Sequence, residues 1–152
     1  MIGDNMKKII LSGIFFIGIG FILGNIIFEK NSFFKNSHQE TYYFLQEGVY
    51  SNKDILQNNL KDLANKLIDY QEDKFYVYIG ITKDLDVAEK LQNIYEEKGY
   101  KIIKKEKNIN SEEFSVNVDQ FDLLIKSTKD EDQILTIEEV VLANYEEIIK
   151  KK

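Results

Sequence analysis

Tyr43-Phe44-Leu45-Gln46-Glu47-Gly48-Val49-Tyr50 and Phe75-Tyr76-Val77-Tyr78-Ile79-Gly80-Ile81-Thr82 are two versions of one segment. They align position for position on Gly48 and Gly80, each an aromatic-rich, strand-forming run that ends in Gly-x-x and passes into a helix start. After the first, Ser51-Asn52-Lys53-Asp54 starts a helix near Lys53, with Ser51 or Asn52 as cap and Leu56, Leu60, Leu63 and Leu67 on one helical face. After the second, Thr82 or Asp84 caps a helix whose inner stripe is Val87, Leu91, Ile94 and Tyr95, and Gly99 is its C′ glycine. Between the halves, residues 66–70 predict a short strand and residues 71–74 a tight polar turn. Residues 100–107 predict a last edge strand, whose lysines hinder edge-to-edge pairing.

The order βαββαβ packs both helices on one face of a four-stranded sheet. Residues 41–107 are therefore expected to form a ferredoxin-like α+β sandwich. Strand alternation puts Phe75, Val77, Ile79 and Ile81 on one face and Tyr76, Tyr78 and Gly80 on the other. Through the glycine alignment, Leu45 and Val49 point inward, while Tyr42, Phe44 and Gln46 point outward.

Upstream, residues 9–28 form one apolar run whose polar members are Ser12 and Asn25. As a helix it spans about 30 Å, the thickness of a bilayer core. The run is too long for a signal-peptide core, the first Ala is Ala64, and a lipobox needs a Cys the chain lacks. An uncleaved transmembrane anchor is expected, preceded by a cytoplasmic tail over residues 1–8. Lys7 and Lys8 flank the run on its N-terminal side, whereas Lys30 is matched by Glu29. That bias predicts a single-pass cell-membrane protein with a cytoplasmic N-terminus and an extracytoplasmic body. Residues 29–40 read as a juxtamembrane spacer, and the single histidine, His38, lies in it without a partner for catalysis.

Composition narrows the function. The 152 residues contain no Cys and no Pro, and the 20 basic residues, all Lys, face 26 acids for a net charge of −6. An acidic chain without Arg is a poor grip for phosphate backbones, so nucleic acid is disfavoured. No thiol, Ser–His–acid set or Gly-rich phosphate loop is present, so no enzyme is expected, and no cofactor or metal is called for.

Residues 42–54, Tyr-Tyr-Phe-Leu-Gln-Glu-Gly-Val-Tyr-Ser-Asn-Lys-Asp, resemble the opening of SPOR domains: an aromatic strand with Gln, then Gly-x-aromatic-Ser-x-x-acidic leading into a helix. Residues 75–84, with Ala88-Glu89-Lys90 and Lys98-Gly99-Tyr100 after them, resemble the second SPOR half, so the resemblance spans about residues 42–107. It implies an SPOR/RNP-like domain that binds peptidoglycan, favouring glycan strands stripped of stem peptides, behind a single membrane anchor. It also implies a place in division, sporulation or envelope upkeep, with divisome or sporulation proteins as partners.

The residues make a physical case for a glycan as well. An open sheet face would show Tyr42, Phe44, Tyr76 and Tyr78 around Gln46. Aromatic rings stack on apolar sugar faces, and hydroxyl and amide groups reach sugar oxygens. An RRM stacks bases on a sheet in the same way, but the acidity of this chain argues against RNA.

The C-terminal extension, residues 108–152, complicates that picture. Residues 118–125 predict a short helix. Thr136-Ile137-Glu138-Glu139 reads as a capping box opening a last helix to Lys150, with Ile137, Val141, Tyr145 and Ile148 as its stripe. If that stripe docks on the sheet, the tyrosines and phenylalanine are core. The protein would then be a membrane-tethered scaffold whose helices bind other proteins. If the stripe instead binds a partner protein or a second copy of the chain, the aromatic face stays open.

Overall fold

The structure, a computed structural model, describes residues 40–151. The expected tail, anchor, His38 and nearly all of the spacer lie outside these residues. Among the described residues, no helix is long and apolar enough to cross a membrane.

Strands β1 (Glu40–Tyr50), β2 (Leu67–Gln71), β3 (Lys74–Thr82) and β4 (Ile103–Ile109) pair antiparallel in the order β2-β3-β1-β4. Helices α1 (Lys53–Asn59) and α2 (Leu85–Glu97) connect them in the order βαββαβ. Helices α3 (Glu112–Ser127) and α4 (Glu131–Lys150) follow. The result is an α+β fold with a four-stranded antiparallel sheet and four helices among the described residues.

The half-repeat is visible in the geometry. Leu45 pairs with Gly80 and Val77 with Gly48, which are equivalent pairs under the glycine alignment, and Gln46 and Tyr78 pair with each other at the centre. The register shifts on each side of that central pair, leaving Ile79 of β3 and Glu47 of β1 as extra residues. Helix starts repeat too. Asn52 caps α1 through the N–H groups of Asp54 and Ile55, and Asp84 caps α2 through those of Asp86 and Val87.

The bulges correct the expected alternation. Phe75 and Val77 do share the face covered by α1 and α2, but the extra residue Ile79 reverses the pattern beyond it. Gly80 turns toward Leu45 and Leu91, where an added Cβ would lie 3.0 Å and 3.4 Å from their methyl carbons. Ile81 joins the opposite face with Tyr42, Phe44 and Tyr78. Val49, expected inside, is 43% exposed.

Other boundaries move as well. Helix α1 ends at Asn59 rather than running on through Leu63, yet Leu56, Leu60, Leu63 and Leu67 are all buried. Strand β4 extends to Ile109, and α3 is a 16-residue helix capped by Ser111. The capping box expected at Thr136 is not one. Helix α4 begins at Glu131, capped by Asp130 on the Gln133 N–H, so Thr136 and Glu138 lie inside it.

Candidate functional site

Helices α3 and α4 settle the open question about the sheet face. Tyr42, Phe44, Tyr78 and Ile81 of the sheet pack with Phe114 and Val118 of α3 and with Val141, Leu142 and Tyr145 of α4. The stripe expected on the last helix thus does cover the face: Ile137, Val141 and Tyr145 are buried, and Ile148 packs at the margin.

All five candidate residues lie on that face. Tyr42, Phe44 and Tyr78 are at most 1% exposed and Gln46 is 7% exposed, whereas Tyr76 is half-buried against the edge of the cluster. An open platform is not what the fold presents. In this arrangement only Tyr76 is within a ligand's reach.

The rings form a ladder. Phe44 meets Tyr78 edge-on at 5.1 Å and Tyr145 edge-on at 5.1 Å. Phe114 lies 5.6 Å from Tyr145 and 5.4 Å from Tyr42. Lys107 of the edge strand β4 lies over this group, its Nζ donating to the Tyr78 hydroxyl at 2.5 Å and standing 4.9 Å from the Phe44 ring centre. Burial raises the Tyr78 hydroxyl above the ordinary tyrosine range and lowers the Lys107 ammonium, while Tyr42 is pushed up to about 12, chiefly by burial.

Carboxylates from the cover reach the sheet. Residues 79–82 of β3 run past the start of β2, which pairs only as far as Tyr78. On that stretch the Ile81 N–H donates to Glu138 of α4 at 2.7 Å. Glu138 is fully buried and its second oxygen has no hydrogen-bond partner among the described residues, and burial pushes its pKa up to about 8. Asp122 of α3 accepts from the Thr82 hydroxyl at 2.6 Å and the Lys83 N–H at 3.1 Å, and burial holds it at about 6. Lys83 pairs with Glu40 at 2.7 Å and Asp119 at 2.8 Å, joining β1 to α3.

Sequence reasoning missed Lys107, Asp122 and Glu138. Lys107 belongs to a run of edge-strand lysines, and Glu138 was absorbed into the apparent capping box. Only the paired register of β1 and β4, which sets Tyr42 opposite Lys107, reveals the first.

No protein-family model matches this chain, and no curated protein matches it. A solved structure similar to it is the solution structure of the peptidoglycan binding domain of the B. subtilis cell wall lytic enzyme CwlC. The identity is 21% and the TM-score 0.39, over 48% of this chain and 98% of that one.

Proposed function

We propose that this protein is a membrane-anchored, extracytoplasmic SPOR-like module that binds the glycan strands of peptidoglycan, with its sheet platform held closed by α4. It is a binding module, not an enzyme, and serves division, sporulation or envelope upkeep. Residues 9–28 supply the anchor, with the N-terminus cytoplasmic. The observation that carries this reading is the gathering of Tyr42, Phe44, Gln46, Tyr76 and Tyr78 on one face of a twofold-repeated sheet. Ring faces, hydroxyls and an amide are the groups that grip a sugar chain. Among the described residues the cover also buries one oxygen of Glu138 without a hydrogen-bond partner, a cost that offsets part of what its bond from the Ile81 N–H contributes to α4's hold.

A platform that is open for only a fraction of the time binds with its affinity reduced by that fraction. Weakening the cover should therefore raise binding, up to about tenfold for each 1.4 kcal/mol. Tyr145→Ala removes the ring that α4 sets against Phe44. Pull-down on amidase-treated sacculi should show the variant bound more strongly than the unaltered chain.

Failure of both to bind would favour a membrane-tethered scaffold. One observation already leans that way: α3 and α4 leave Leu123, 54% exposed, and Val140, 39% exposed, on their outer surfaces.

A further inference from the structure

The opposite face of the sheet carries an accessible groove. It lies between α1 and the β2–β3 hairpin, encloses about 290 Å³, and has a floor of Leu56, Leu60, Ile68 and Phe75. That is near the lower bound of about 300 Å³ for small-molecule sites. Alternation sets Ile68 and Phe75 opposite in direction to Asp69 and Tyr76, so α3 and α4 do not reach the groove.

Its rim is cationic. Lys53, Lys61 and Lys66 line it, no carboxylate does, and none of the three forms an ion pair among the described residues, although the Lys66 ammonium donates to the Leu63 carbonyl. In a chain of net charge −6, three lysines without acidic partners around one apolar floor are a local reversal of sign. Aromatic surface adjoins them: Tyr70, 59% exposed, meets Phe75 at 4.8 Å between ring centres with the planes tilted by 41°. Gln57 supplies an amide.

We infer that this groove binds a carboxylate-bearing glycan, its lysines pairing with the carboxylates while Tyr70 and Phe75 stack on the sugar rings. A peptidoglycan strand stripped of its stem peptides has this chemistry, since removal of each peptide frees a carboxylate on every second sugar. A neutral chitin-type strand offers the rings without the charge. The inference rests on the peptidoglycan reading above, and adds a site that needs no movement of α4.

The test uses detergent-solubilised full-length chain. Titration calorimetry with peptide-free peptidoglycan tetrasaccharide should give binding at least tenfold tighter than with the neutral chitin tetrasaccharide. Lys53→Gln with Lys61→Gln should weaken binding to the acidic sugar about tenfold, and Tyr70→Ala three- to tenfold. All three sites are exposed, so circular dichroism should show the fold unchanged. Equal affinity for the two sugars, or an unchanged affinity in the lysine double variant, overturns the inference. If sacculi are still bound, and more strongly by Tyr145→Ala, the peptidoglycan reading survives that failure. If neither the unaltered chain nor Tyr145→Ala binds sacculi or either sugar, both fall.

Discussion

Glu138 holds one oxygen on the Ile81 N–H and keeps the other buried without a hydrogen-bond partner among the described residues, so the folded protein favours its protonated form. Its carboxyl stands at about 8 when folded against an ordinary 4.5. The folded state therefore retains a proton that the unfolded chain has released. Stability from this group is complete below about pH 4.5 and drains away as pH rises through 8, by up to about 1.4 kcal/mol per pH unit. Asp122 behaves likewise between its ordinary 3.8 and about 6, so from pH 6 to 8 the slope belongs to Glu138. Glu138→Gln keeps an acceptor for Ile81 but cannot ionise. Urea unfolding at pH 6, 7 and 8 should show falling stability in the unaltered protein and a nearly level profile in the variant, which should be the more stable at pH 8. An equal slope in both would mean that Glu138 is not the group taking up the proton.

Among elements, the β2–β3 hairpin turns through Glu72 and Asp73, whose φ values are 49° and 59°, with Gln71 paired to Lys74. A two-residue turn with both φ positive is the type that Asn-Gly fills best. Glu72→Asn with Asp73→Gly should stabilise the fold by roughly 0.5–1 kcal/mol, read as a higher thermal midpoint. A lower midpoint would show that the Tyr70 hydroxyl's bond to Asp73, 3.0 Å, outweighs the backbone strain. The turn was legible in the sequence from four polar residues between apolar runs. So were the caps to within two candidates each, Ser51 or Asn52 and Thr82 or Asp84, of which Asn52 and Asp84 serve, because a cap is a local event decided within four residues. The bulges at Glu47 and Ile79 were not, because alternation assumes that no residue is inserted, and an insertion is set by the partner strand. Leu63 and Leu67 kept helical spacing beyond the end of α1 and are buried from a loop and a strand instead, so burial was legible where the element was not. Candidate site residues fared similarly: their shared face followed from the repeat, whereas the helix over it depended on where a distant stripe docks.

For the molecule as a whole, the question is whether α4 belongs to the same cooperative unit as the sheet. Phe44 links β1 to Tyr78 of β3 and to Tyr145 of α4, and Tyr145 continues through Phe114 of α3 to Tyr42. Sheet strands are also fastened to one another by a ladder independent of these rings. Helix α4 has no such ladder. Its hold on the sheet rests on its buried stripe, on Glu138 and on the Asn65 side chain donating to the Leu135 carbonyl at 2.8 Å. Units held mainly by side-chain packing open at lower free energy than a hydrogen-bonded sheet. Replacing a buried ring by Ala costs about 3–5 kcal/mol. If α4 opens by itself, Tyr145→Ala should lower the exchange protection of α4 amides by most of that amount and leave the β1 and β3 amides, Ile81 excepted, close to their original values. The Ile81 amide should follow α4, since its acceptor leaves with the helix. If β1 and β3 lose protection equally, α4 is part of the core, and the sheet face cannot be exposed without unfolding the domain.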